Sequence, residues 1–192
     1  VQTDEPRLVL RDFRPADRDA FVAYQMEPRY RRLYDLGEDH AAAASELFDL
    51  FLAWQAERPR RNHQFGVFRR ASGALLGCAG LRAEADDPQA AELGIELSPE
   101  AWGAFGVAID ATAALIDYGF ETLGLSRIIG RTASGNRRVE RLARWFGATL
   151  AAEREGADWM TARGWSEVDW VLERAGWTGA PRGRRALVAP EG

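Results

Sequence analysis

Ala91-Glu92-Leu93-Gly94-Ile95-Glu96-Leu97 alternates apolar and polar positions without a break. In an extended strand successive side chains point to opposite faces, so Leu93, Ile95 and Leu97 face one way and Glu92, Gly94 and Glu96 the other. Ser98-Pro99-Glu100-Ala101-Trp102 ends that alternation, and Gly103-Ala104-Phe105-Gly106-Val107-Ala108 leads into a helix expected to run from Gly106 to about Leu123. A helix start leaves unpaired N–H groups beside the positive end of its dipole, and glycines let a ligand approach that backbone closely. Such a turn suits a phosphate or pyrophosphate, or is a plain tight turn.

Outward from this stretch, the pattern predicts further elements. Toward the N-terminus, residues 7–13 read as a first strand. A helix opens at Pro15 with Asp17 and Asp19 in its first turn and continues to Pro28. A second helix covers about residues 41–57, with Leu47, Leu50, Phe51 and Trp54 on one face. Residues 63–69 and 75–81, separated by Ser72-Gly73, make a hairpin. Toward the C-terminus, residues 126–132 form a strand and residues 135–146 a helix with Val139, Leu142, Ala143 and Phe146 on one stripe. Strands near residues 148–154 and 168–173 close the pattern. Residues 178–192 carry no periodicity and are expected to be a flexible tail after a single domain over residues 1–177. The order is that of an α+β (mixed α/β) domain.

Composition narrows the function classes. At 192 residues and 21.3 kDa, with 46% hydrophobic and 28% charged residues, the chain is a folded domain rather than a disordered one. Net charge is −4 and the pI near 5.4, which argues against general nucleic-acid binding. The longest apolar stretch, residues 107–125, is interrupted by Asp110, Asp117 and Glu121, so no membrane span is expected. All 25 basic residues are arginine, which removes lysine as a Schiff-base or amine catalyst. Cys78 is the only cysteine and His40 and His63 the only histidines, so neither an intramolecular disulfide nor a Cys/His metal cluster is expected. Cys78 lies in an apolar run and reads as core. The polar N-terminus shows no signal peptide, so a cytoplasmic location is expected.

Several stretches resemble the acyl-CoA-binding core of the GCN5-related N-acetyltransferase (GNAT) superfamily, most of all its RimJ/RimL-type branch. They are residues 7–17, Ala91 to Gly103, Tyr118-Gly119-Phe120-Glu121-Thr122-Leu123-Gly124-Leu125, Gly135-Asn136-Arg137-Arg138-Val139 and Phe146-Gly147-Ala148. The resemblance covers about residues 7–176. It implies a mixed sheet of six to seven strands flanked by four helices and splayed between its fourth and fifth strands. The cosubstrate would be acetyl-CoA, with no metal. Pantetheine would lie along the backbone at Ile95 and Leu97, and pyrophosphate on the amides of Gly103, Ala104, Phe105, Gly106, Val107 and Ala108. Asn136 would reach the pantetheine or mark its exit, and Arg137, Arg138 and Arg141 are the cations placed for the 3′-phosphate, with a solvated helix face as the alternative.

The resemblance also has departures. Gly103 stands where the branch carries Arg or Gln, and the loop holds one extra residue, Ala104 or Phe105. Ala143 occupies the position of a thiolate-protonating Tyr, and Val139 that of a Ser, so no general acid is assigned.

The implied reaction moves an acetyl group to a primary amine, either a protein N-terminal α-amine or a small molecule. An amine near pKa 10 must lose a proton before it attacks, and a nearby carboxylate can take that proton. Glu92, matching the family's usual base, and Glu96 are the catalytic candidates. The acceptor region includes Tyr30-Arg31-Arg32-Leu33-Tyr34-Asp35, where Asp35, Glu38, Asp39, Glu46 and Asp49 favour a cationic amine or peptide N-terminus, or are solvated helix charge partly cancelled by Arg29, Arg31 and Arg32. Trp102, Trp159, Trp165, Trp170 and Trp177 suggest an apolar cleft or a homodimer face. The second reading is a non-catalytic acyl-CoA-binding or interaction module on the same fold.

Overall fold

Eight strands form one mixed sheet in the order β6-β7-β5-β4-β3-β2-β1-β8. They are β1 (Leu8–Arg11), β2 (Asn62–Arg69), β3 (Leu75–Ala83), β4 (Ala90–Leu97), β5 (Arg127–Ala133), β6 (Thr149–Arg154), β7 (Glu167–Glu173) and β8 (Ala186–Ala189). Six α-helices lie among the described residues: α1 (Arg18–Gln25), α2 (Pro28–Tyr34), α3 (His40–Ala56), α4 (Val107–Asp117), α5 (Arg137–Trp145) and α6 (Asp158–Thr161). This computed structural model describes residues 6–34, 40–103, 106–179 and 186–190, with the backbone alone at 32–34. Only β1–β8 and β4–β5 run parallel; every other pair is antiparallel.

The expected α+β architecture is present, with more elements than the pattern predicted. Seven strands stand where alternation placed them. The eighth, β8, falls in residues expected to be a loose tail. It pairs with β1 from Leu8↔Ala186 to Arg11↔Ala189. An open strand edge accepts any extended partner through backbone hydrogen bonds, so β8 needs no periodic signature. Pro28 opens α2 rather than closing the first helix, since proline is compatible with a helix start. The long helix ends as α at Asp117, and one π turn over Tyr118–Thr122 follows, with Leu123 N–H donating to the Tyr118 carbonyl at 3.1 Å. α6 is a single turn.

The sheet buries both faces over its β1–β4 half. One face packs on α4, where Leu10, Phe65, Leu81, Ala111, Leu115 and Phe120 form the main core. The other packs on α1 and α3 through Phe13, Phe21, Phe48 and Phe51, with the Phe13 and Phe48 ring centres 5.1 Å apart. Fully burying each such ring contributes about 1.5–3 kcal/mol. Beyond β4, on the face away from α4, charged side chains replace the helices. Arg82, Glu92, Arg131, Asp169 and Arg154 follow one another across β3, β4, β5, β7 and β6, each within 3.6 Å of the next.

Candidate active site

β4 and β5 pair only at Ala90↔Arg127, Ala91↔Ile128 and Glu92↔Ile129. β3 stays paired with β4 to Gly77↔Leu97. Past Glu92, therefore, β4 has a strand on one edge only. Ser98 N–H donates to the Leu76 carbonyl at 2.8 Å, and the antiparallel alternation directs the polar groups of the even-numbered residues toward β3. The N–H and C=O groups of Leu93, Ile95 and Leu97 consequently face the gap.

A cavity of about 220 Å³ fills that gap. Arg82, Glu92 and Gly94 line it from one face of the sheet, and Leu93, Ile95, Thr112 and Ile116 from the other. It therefore passes through the plane of the sheet. Ile128, Leu142, Ala143, Phe146, Trp170 and Leu172 make its remaining wall mostly apolar, and Ala143 leaves open the space a larger residue would take.

At the end of β4, Gly103 (φ 77°) and Gly106 (φ 95°) adopt left-handed conformations that favour glycine. Ala104 and Phe105, two of the expected pyrophosphate ligands, lie outside the described residues. Gly106 is the N-cap of α4 and has no side chain to close the helix end. The first helical bond there is from Asp110 N–H to the Gly106 carbonyl, at 2.8 Å. The amides of Val107, Ala108 and Ile109 thus have no acceptor within the helix, the arrangement expected of an anion site. Asp110, the one acid of that first turn, is buried and ion-paired with Arg7.

Trp102 closes this end of β4. Its Nε1–H donates to the Leu97 carbonyl at 2.9 Å, and the Arg138 guanidinium sits 5.9 Å from its ring centre. Of the two strand residues expected to face pantetheine, Ile95 keeps its carbonyl clear of this indole, whereas the Leu97 carbonyl already accepts a bond. Asn136 lines the cavity and caps α5: its Oδ1 accepts from Val139 N–H at 3.3 Å and its Nδ2 donates to Thr132 Oγ1 at 3.1 Å. Arg141 is exposed outside the cavity, with Nε–H donating to the Arg137 carbonyl at 3.2 Å. Arg137 pairs with Glu140 at 2.7 Å.

The two glutamates have different surroundings. Glu92 lines the cavity where the strands part, and each of its oxygens accepts from a guanidinium: Oε1 from Arg82 at 2.7 Å, Oε2 from Arg131 at 3.0 Å. Glu96 accepts from the Tyr24 hydroxyl at 2.6 Å, the Gln25 amide at 3.2 Å and the Tyr30 hydroxyl at 2.5 Å. Burial, then the nearby Cys78 and Glu96, push the Tyr24 hydroxyl well above its ordinary pKa, so it stays a neutral donor. Burial likewise pushes the Cys78 thiol far up, which agrees with its reading as core. Gly94, between the two glutamates, also lines the cavity. A Cβ there would lie 3.0 Å from Arg82 Nη2, because that guanidinium lies across the glycine.

Arg82, Arg131, Tyr24 and Gln25 are site residues that periodicity alone missed. Arg82 had one available signal: in the β3–β4 register it lies directly opposite Glu92. Arg131 is held by Glu84 at 2.8 Å through both terminal nitrogens, which raises its pKa further while lowering that of Glu84. In the acceptor region, Asp49 pairs with Arg18. Asp35, Glu38 and Asp39 lie outside the described residues. Of the tryptophans, Trp170 is buried against the cavity, Trp177 Nε1–H donates to Asp117 at 2.8 Å, and Trp159 and Trp165 are exposed. Among the described residues, no group of three His, Cys, Asp or Glu could hold a metal, and no helix is long and apolar enough to cross a membrane.

Known proteins share this fold. YoaA of Bacillus subtilis, an uncharacterized N-acetyltransferase, is 32% identical over 143 residues, covering 74% of this chain and 78% of that protein. The spermidine N-acetyltransferase of Vibrio cholerae, solved with CoA and spermine, shares the fold at a TM-score of 0.72 and 18% identity over 88% of this chain and 97% of its own. A GNAT-family acetyltransferase of Bacillus anthracis does so at a TM-score of 0.70 and 19% identity, over 87% and 95%. The acetyltransferase (GNAT) domain model matches residues 7–149, and this chain, an acyltransferase by that kinship, belongs to the GNAT family.

Proposed function

We propose that this enzyme transfers the acetyl group of acetyl-CoA to a primary amine by direct attack within a ternary complex. The observation that carries the reading is the parting of β4 and β5 after Glu92↔Ile129, which leaves a cavity bordered by backbone groups without a strand partner. A pantetheine arm is an amide-bearing chain of matching chemistry: its amides pair with the backbone at Leu93, Ile95 and the Leu97 N–H, as an added strand would. The amides at the start of α4, which have no acceptor within the helix, supply the pyrophosphate site. Asn136 orders α5 along the cavity, and Arg138 and Arg141, on the exposed side of α5, are the cations for the 3′-phosphate.

In this reading Glu92 is the base, because it lines the cavity and Glu96 does not. A carboxylate has about four lone-pair sites, so two guanidinium bonds leave room to accept the proton of an incoming amine. The amine nitrogen then attacks the thioester carbonyl, the C–S bond breaks, and CoA leaves as a thiolate that takes up a proton. Positioning supplies much of the rate where no acid is assigned. Glu96, tied to Tyr24, Gln25 and Tyr30, shapes the acceptor side. The acceptor is a small-molecule amine or a protein N-terminus, and the enzyme acts in the cytoplasm. Exposed Trp145, Leu150 and Trp159 support a homodimer.

Calorimetric titration with acetyl-CoA, with CoA as comparison, tests the donor site. Saturable micromolar binding is expected. Absence of binding up to millimolar ligand would leave a shared fold without the transferase chemistry. A non-catalytic acyl-CoA module would bind without releasing CoA in the presence of any amine.

A further inference from the structure

We infer that the acceptor carries a carboxylate next to its amine, as an α-amino acid does, and that Arg82 is the residue that selects it. This rests on the acetyltransferase reading and narrows its substrate class. Because the cavity passes through the sheet, a donor held on the α4–α5 side meets its acceptor from the opposite face, over Gly94. The guanidinium of Arg82 lies across that glycine, with Nη2 3.0 Å and Nη1 3.6 Å from the position of an added Cβ. An acceptor on this face therefore meets a cation first.

Arg82 has unused capacity. A guanidinium carries five N–H donors, and the one hydrogen bond the Arg82 side chain makes among the described residues is from Nη2 to Glu92. Its side chain is 39% exposed. The other cation at the cavity, Arg131, already donates to both oxygens of Glu84 and to Glu92. Asn136 and Thr132 bond each other. Arg82 is thus the charged donor at the cavity free to take a planar anion, and the fork of a guanidinium matches a carboxylate at two points. Beside it, Glu92 faces the same space and suits the amine. A carboxylate and an amine one carbon apart fit such a juxtaposition of opposite charges. A polyamine would instead bring its cation against a guanidinium, at a cost to binding.

The test uses the purified full chain with acetyl-CoA and follows CoA release. Acceptors are a panel of α-amino acids, the matching amines that lack the carboxylate, spermidine, and a dipeptide amide. At least one amino acid is expected to exceed its decarboxylated partner in kcat/KM by tenfold or more. Arg82→Gln should lower kcat for both acceptors alike, because Glu92 loses one of its two guanidinium bonds, but should raise KM about 10- to 100-fold more for the amino acid than for the partner amine, and Arg82→Lys should restore part of that KM loss. Higher kcat/KM for spermidine, the dipeptide amide or the decarboxylated amines would overturn the inference, as would an unchanged KM in Arg82→Gln. If no acceptor is acetylated, calorimetry of the CoA-loaded protein with the same amino acids decides. Binding lost in Arg82→Gln sustains the carboxylate site while the transferase reading fails, and no amino-acid binding overturns the site. Thermal melts of both variants separate these outcomes from misfolding.

Discussion

Glu92 on β4 and Arg131 on β5 are bonded at 3.0 Å at the point where their two strands part. The pair spans the narrow end of the gap, and Glu84 and Asp169 hold Arg131 from two further sides. One side chain thus does two things: it ties the last rung of the parallel ladder and presents a carboxylate to the cavity. Arg82 sets the other Glu92 oxygen, so the orientation of the carboxylate is fixed before any ligand enters.

Glu92→Gln keeps the shape and removes the proton acceptor. Turnover should fall about 10²- to 10⁴-fold, the range of general base catalysis, with acetyl-CoA affinity within about twofold of the parent. Steady-state CoA release and calorimetry on the same preparations check both halves. Glu96→Gln should act mainly on the KM of the acceptor, since Glu96 lies outside the cavity lining.

Ala143 lines the cavity from α5 and is half-buried. Ala143→Trp should fill the space needed by the pantetheine arm and weaken acetyl-CoA binding at least tenfold, about 1.4 kcal/mol. The melting temperature should change little, because the new ring occupies a cavity rather than packed core. Unaltered affinity would place the donor elsewhere.

Cys78 is buried, and burial, with Glu96 nearby, holds its thiol protonated far above neutral pH. The reactive species is the thiolate. Alkylation with iodoacetamide at pH 8 should therefore leave the folded protein unlabelled and modify one site after denaturation, as mass spectrometry would show.

Hydrogen bonds from Arg131 outweigh burial and lower the pKa of Glu84 below its ordinary 4.5. A carboxyl whose pKa is lower in the folded state stabilises above its unfolded value and loses that contribution as pH falls through the folded value. Thermal stability should thus decline below about pH 4.5, and Glu84→Gln should melt lower at neutral pH with a shallower decline in acid. Asp17 adds to the same trend below 3.8: burial alone would raise its pKa, but bonds from Arg11 and the Arg14 amide lower it.

Gly77 has φ 146°, and an added Cβ would meet the Glu96 carbonyl and lie 2.7 Å from the Leu97 Cα. Gly77→Ala should therefore displace β4 at the edge of the cavity. A loss of about 1–3 kcal/mol is expected from the overpacking, read as a lower denaturation midpoint, together with weaker acetyl-CoA binding.

Local pattern determined much of this protein. The period-two alternation at residues 91–97 specified a strand with two glutamates on one face, and the apolar stripe of α5 specified which side meets the core. Both signals are strong because burial of one face repeats with the period of the backbone. The glycines around residues 103–106 marked a helix start with open amides, which needs only local sequence. Tertiary structure alone decided what those groups touch. Arg82 reaches Glu92 through the β3–β4 register, Arg131 arrives from β5 across a crossover helix, and Tyr24, Gln25 and Tyr30 reach Glu96 from helices about seventy positions earlier in the chain. β8 joined the sheet because β1 offered an unpaired edge, a property of the assembled fold rather than of residues 186–189. Charge pairing and edge pairing depend on distances in space, and these carry no period along the chain.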